Sequence, residues 1–148
     1  KAEPIDGLTA GASYTTYDMD DSAAGQSPEA GSWYAKYAVG PVTAAYGRAY
    51  IAVATASIAA TYETVKNSKM GASYAVNDDL NFSYAVEKSE ATHMLNTTAD
   101  VEMEVQQIAA AYTMGGMTLA VSQNSYDNSN YTLNKDAKST VFNLSMAF

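Results

Sequence analysis

The tightest constraint on this chain is a hydrophobic period of two. Leu80, Phe82, Tyr84 and Val86 alternate with Asn81, Ser83, Ala85 and Glu87. Met70, Ala72, Tyr74 and Val76 alternate with Lys69, Gly71, Ser73 and Ala75, and Met117, Leu119 and Val121 with Thr118, Ala120 and Ser122. Phe142, Leu144, Met146 and Phe148 alternate with Val141, Asn143, Ser145 and Ala147. A β-strand places successive side chains on opposite faces, so each segment has one apolar face and one small or polar face. Weaker copies run through Leu8, Ala10, Ala12 and Tyr14, and through Trp33, Ala35, Tyr37 and Val39. The chain reads as all-β.

The punctuation is as regular as the strands. Gly40-Pro41, Asn77-Asp78-Asp79 and Gly115-Gly116 each separate two alternating segments, which is hairpin chemistry, and Asp6-Gly7 makes an earlier tight turn. The tyrosine before each of the three turns recurs at intervals of 37 and 38 residues (Tyr37, Tyr74, Tyr112). Between these turns lie long segments, 19–31, 53–68, 88–100 and 127–135, which hold much of the acidic charge. Short turns at one edge and long acidic loops at the other describe an up-and-down antiparallel meander of eight strands. Residues 1–148 are expected to form a single β-barrel domain or the C-terminal half of one.

Composition narrows the environment. Sixteen acidic against eight basic residues give a net charge of −8, which disfavours phosphate backbones, so no nucleic-acid partner is expected. The chain has no cysteine, hence no disulfide framework, thiolate metal site or thiol nucleophile. Charged residues make up 16%, where roughly a quarter is usual for soluble domains. A membrane helix is excluded: the longest uncharged stretch, 105–126, is broken by Gln106, Gln107, Gly115, Gly116, Gln123 and Asn124. A soluble barrel or sandwich would carry many Lys and Glu on its polar face, whereas here that face is Thr, Ser, Gly, Ala and Asn. Aromatic rings recur on the apolar side next to the turns, as in the interfacial girdle of a membrane barrel. Because lipid offers no water to open backbone groups, a spanning sheet must close on itself. The expectation is a transmembrane up-and-down antiparallel β-barrel wall.

The terminal strand ending in Phe142, Leu144, Met146 and Phe148, with the hairpins Tyr74-Ala75-Val76-Asn77-Asp78-Asp79-Leu80 and Tyr37-Ala38-Val39-Gly40-Pro41-Val42, resembles the C-terminal part of a Gram-negative outer-membrane general porin. The resemblance covers essentially the whole chain. It implies a bacterial outer-membrane location, a 16-stranded barrel of which this chain supplies eight strands, and a homotrimer. It further implies contact with the lipid bilayer and lipopolysaccharide, and a C-terminal signal (Phe142, Leu144, Met146, Phe148) read by barrel-assembly machinery. The departure is length. The inward residues are too small to fill a closed eight-stranded barrel, where voids are costly, so the wall of a wider pore is preferred.

Leu80, Phe82, Tyr84 and Val86 are assigned to lipid, and Asn81 on the opposite phase to the pore lining. Lys36 and Arg48 lie in segments nearly free of other charge. An exposed cation on the lipid face costs several kcal/mol, roughly 2 to 4 at the midplane, so both are expected in the lumen, with Glu87 there or at its rim. The phase around Arg48 is ambiguous, because Val42, Ala44 and Tyr46 would face in with it. Val101, Met103 and Val105 alternate in one phase and Ile108, Ala110, Tyr112 and Met114 in the other, which implies a bulge at Gln106-Gln107 or, as preferred, a strand that leaves the bilayer before Gln106. Asp18-Met19-Asp20-Asp21 lacks EF-hand spacing and reads as a solvated loop. Asn96-Thr97-Thr98 is a formal glycosylation sequon without weight here. His93 stands in a polar loop without a metal or triad partner, and no enzyme, metal or cofactor is expected. The leading function is passive diffusion of small hydrophilic solutes and ions. A complete eight-stranded barrel with a structural or adhesive role, and a soluble ligand-binding barrel, are the alternatives.

Overall fold

A computed structural model of the chain describes residues 2–17, 27–53, 62–93 and 99–146. Nine strands follow chain order in one sheet, each antiparallel to the next. They are β1 Ala2–Ile5, β2 Leu8–Thr16, β3 Glu29–Val39, β4 Val42–Ala52, β5 Tyr62–Ala75, β6 Leu80–His93, β7 Val101–Met114, β8 Met117–Asp127 and β9 Ala137–Met146. One 3-10 turn, η1 (Ser129–Tyr131), lies between β8 and β9. The eight strands from β2 onward are the expected meander, and β1 adds a four-residue strand at one side. β1 and β9 do not pair with each other, so the sheet is open.

The short connections follow from turn chemistry. Asn77 Oδ1 accepts the backbone N–H groups of Asp79 (2.9 Å) and Leu80 (2.8 Å), closing the β5–β6 turn as Asn side chains do. Gly115 and Gly116 take φ of 57° and 83° between β7 and β8, where any side chain would strain the backbone. Gly7 is the most demanding position. Its φ is 77°, and a Cβ built there would lie 2.1 Å from the Ala38 carbonyl oxygen. Because that obstacle is backbone, no side-chain movement relieves it. Gly7→Ala is expected to cost about 1–3 kcal/mol, read as a lower denaturation midpoint and as lost exchange protection of the Ala38 N–H, which donates to Gly7 O at 2.9 Å.

Three strands are longer than the alternation suggests: β5, β6 and β7 have 14 residues each. Their extensions, 62–68 and 88–93, were expected as loop because polar and charged residues occupy both phases there. Lys66 pairs with Glu90, and Glu90 with Glu102, in continuous register. β7 also has no bulge at Gln106-Gln107: its pairing to β6 runs unbroken from Leu80↔Tyr112 to Ala91↔Val101. The phase change in β7 is a change of covered face. Near the short turns its apolar side chains, Ile108 and Tyr112, lie on the face of Phe82 and Tyr84. Near the long loops Val101 lies on the opposite face and is only 7% exposed.

There is almost no core. Among the described residues the buried hydrophobic side chains are Ala52, Val86, Ala91 and Val101 alone. Phe82, Tyr84, Ile108, Phe142 and Leu144 are exposed, Phe142 at 75%. No helix is long and apolar enough to cross a membrane among the described residues.

Candidate functional site

Directly paired residues in an antiparallel sheet point to the same side, so the register assigns every strand position to one of two faces. The first face carries Leu8, Ala35, Tyr37, Val42, Tyr46, Met70 and Tyr74, then Leu80, Phe82, Tyr84 and Val86, then Ile108, Tyr112, Leu119, Phe142, Leu144 and Met146. The four residues assigned from sequence to lipid thus share a face with most of the exposed apolar side chains.

This face has two tiers. Toward the short turns it is apolar. Toward the long loops the strands from β4 to β9 bring in polar or charged residues: Arg48 follows Tyr46 (with Tyr50 and Ala52 beyond it), Ser68 and Lys66 precede Met70, Lys88 follows Val86, Gln106 and Glu104 precede Ile108, Gln123 follows Val121, and Lys138 and Thr140 precede Phe142. Lys88 Nζ bridges Glu102 Oε1 at 2.9 Å and Glu104 Oε2 at 3.0 Å, and Gln106 Nε2 donates to Glu104 Oε1 at 2.7 Å. Exposed pairs of this kind add little to stability. At the boundary a groove of about 470 Å³ is lined by Tyr14, Trp33, Arg48, Tyr50 and Lys66 among others.

Arg48 belongs to this first face. It pairs with Trp33 and Ser68, in phase with Val42, Ala44 and Tyr46 and, through the register, with Lys88 and Tyr84. The expectation that Arg48 lines the same face as Lys36, Asn81 and Glu87 is therefore corrected. It stands where the apolar part of that face gives way to the polar part, between Trp33 on β3 and Ser68 on β5.

The second face holds Lys36, Asn81 and Glu87, which do lie together on one side of the sheet. Lys36 pairs with Thr9 and Ala45, and Asn81 with Ala75 and Ala111. Glu87 is embedded in polar contacts: Lys69 Nζ lies 2.6 Å from its Oε2, and Asn67 Nδ2 donates to its Oε1 at 2.5 Å. Farther across, Gln107 Nε2 donates to Asn124 Oδ1 at 2.8 Å, and Asn124 Nδ2 to Ser139 Oγ at 3.3 Å. Ser13 with Ser32 (2.7 Å) and Thr113 with Thr118 (2.9 Å) add hydroxyl pairs toward either side of the sheet. Many of the remaining positions are small, with Gly11, Gly47, Gly71, Ser73, Ser83, Ala85, Ala109 and Ala120 among them, but Tyr34, Ile51, Val105, Tyr126 and Val141 stand on this face too, and Tyr34, Ile51 and Val141 are exposed. This is a wettable surface studded with a few charges. Among the described residues no group of His, Cys, Asp or Glu could hold a metal ion.

Several partners escaped the sequence reading. Lys69 was visible only as one polar member of an alternating segment, and its pairing with Glu87 depends on the β5–β6 register, which the Asn77 turn sets. Gln107 and Asn124 meet because β7 is continuous. His93 is not in a loop: it ends β6, its ring lies 4.9 Å from that of Tyr62, and its Nδ1 is 3.5 Å from Asp100 Oδ1. In the terminal signal, Phe142, Leu144 and Met146 share the apolar face, while Phe148 lies outside the described residues, as do Asp18-Met19-Asp20-Asp21 and Asn96-Thr97-Thr98.

No protein-family profile matches the chain, and no curated protein matches it.

Proposed function

We propose that the chain is part of the wall of a water-filled outer-membrane channel of the general-porin kind, through which small hydrophilic solutes and ions diffuse passively. The observation that carries this reading is the inversion of the sheet. Most of the exposed large apolar and aromatic side chains stand on one continuous face, and small or polar ones predominate on the other, where Tyr34, Ile51 and Val141 are the exposed exceptions. Each large apolar side chain gains about 1.5–3 kcal/mol on leaving water, so a sheet with this face bare is stable only against an apolar medium. Lipid is such a medium, and a closed barrel in which further strands stand between β1 and β9 satisfies their open edges.

The two tiers of the outer face fit a bilayer leaflet. The apolar tier meets hydrocarbon, and the tier with Arg48, Lys66, Lys88 and Lys138 meets headgroups, including the phosphates of lipopolysaccharide. Over β5 to β7 the small face is the more sheltered one: Ser83 and Ala85 are half-buried while Phe82 and Tyr84 are exposed, as curvature toward the polar side produces. Lys36, Lys69 and Glu87 then line the lumen and bias the passage of ions. The smallness of the lining speaks for a wide pore over a packed eight-stranded barrel with a structural or adhesive role. A homotrimer and recognition by the assembly machinery belong to the same reading.

The test is reconstitution. Full-chain protein in planar lipid bilayers is expected to give discrete, ohmic conductance steps. A chain that is monodisperse in detergent-free buffer, with Phe82, Tyr84 and Phe142 protected from water, would overturn the reading.

A further inference from the structure

The connection from β8 to β9 does not extend away from the sheet. Asn128 begins it with a left-handed backbone (φ 53°) and acts as a clasp. Its Oδ1 accepts the Asn134 N–H at 3.0 Å, and its Nδ2 donates to the Glu102 carbonyl of β7 at 2.9 Å. The Ser129 N–H donates to Lys135 O at 2.7 Å, and Asp136 Oδ1 accepts the Asn128 N–H at 3.3 Å. The loop is thus folded on itself and tied to β7.

The clasp places Tyr131 over the polar face. Tyr131 OH lies 2.7 Å from Ser89 Oγ on β6, and its ring centroid is 5.8 Å from that of Tyr62, whose ring in turn lies tilted against that of His93. From β8 to β6 is two strand spacings, so the loop spans about 10 Å of the polar face. Beneath it lie three of the most sheltered positions of the sheet: Ser89 at 4%, Ala91 at 0% and Val101 at 7% exposure. All three point to the polar face, where η1 packs on β7. Tyr131 also holds φ at 54°, a left-handed conformation that a bulky residue keeps only when its surroundings enforce it.

Resting on the channel reading, we infer that Tyr131, braced by Ser89, Tyr62 and His93, forms a fixed aromatic constriction at the long-loop mouth of the pore and limits the size of the solutes that enter. The position of Asn128 on the loop, away from the constriction itself, makes it the positioning residue.

Single-channel conductance and polymer exclusion decide the matter. Full-chain wild type, Tyr131→Ala, Asn128→Ala and Tyr131→Phe are compared in planar bilayers, with polyethylene glycols of graded size as probes. Tyr131→Ala and Asn128→Ala are expected to raise conductance by about 1.5-fold and to admit larger polymers, while Tyr131→Phe, which keeps the ring, stays near wild type. Loop position is read independently. The chain has no native cysteine, so a Ser89→Cys/Tyr131→Cys pair can be bridged specifically by a short bifunctional maleimide, and the folded protein is expected to cross-link efficiently. Failure to cross-link, or cross-linking with unchanged conductance in Tyr131→Ala and Asn128→Ala, overturns the constriction and leaves the channel standing. A wild type that opens no channel overturns both.

Discussion

Arginine at position 84 will block assembly, and arginine at position 81 will not. The two positions are three residues apart on β6, but Tyr84 shares its face with Ala72 and Ile108, and Asn81 shares the other with Ala75 and Ala111. If the first face meets hydrocarbon, Tyr84→Arg places a cation there at a cost of about 2–4 kcal/mol, enough to lower the folded fraction severely. Asn81→Arg adds a cation to a wetted wall, which leaves folding near wild type and moves ion selectivity toward anions. Refolding into lipid vesicles, scored by protease resistance, separates the two. Equal yields for both variants would remove the assignment of faces, and with it the channel.

The second large effect concerns Glu87. Its carboxylate is paired with Lys69 and bonded to Asn67, and its cross-strand neighbour on β7 is Val105. Glu87→Lys replaces this pair by two neighbouring cations. In a water-filled lumen the like charges are solvated, and the cation-to-anion permeability ratio is expected to fall about threefold with little change in folding. In a packed interior, two unpaired ammonium groups would instead cost several kcal/mol and the variant would not fold. Reversal potentials in a salt gradient, measured beside the refolded yield, distinguish a pore lining from a core.

Where one face is apolar and the other small, the strand and its phase were legible in the sequence. That holds for Leu80 to Val86, for the terminal strand, and for the turns, since Gly115 and Gly116 carry backbone conformations that few residues adopt and the Asn77 side chain closes its own turn. Legibility failed where both phases are polar. The extensions of β5 and β6 past Ser68 and Lys88 are held by cross-strand pairing, such as Lys66 with Glu90, and no periodicity announces that. Arg48 shows the opposite error. Its shared phase with Val42, Ala44 and Tyr46 was visible in the sequence, but the lumen was preferred over a place at the edge of the apolar face. The apparent fault in β7 came from treating one face as covered along its full length, when the loop carrying Tyr131 covers the other face at the far end. The constriction was invisible because Tyr131 meets Ser89 only after a fold that brings together positions 42 residues apart.

The lateral margins of the sheet carry an arithmetic of their own. Nine alternating strands leave β1 and β9 running in the same direction. Two such margins cannot be zipped directly into a ring whose neighbours all run opposite ways. Any cylinder that keeps all nine and remains antiparallel throughout must insert an odd number of further strands between them, and its total is then even, as bacterial outer-membrane cylinders are. Seven insertions would make sixteen. A ring made of this sheet alone must instead release β1 and join β9 to β2, exchanging one small hairpin for closure. The direction of a four-residue strand therefore decides which circumferences are open to the molecule.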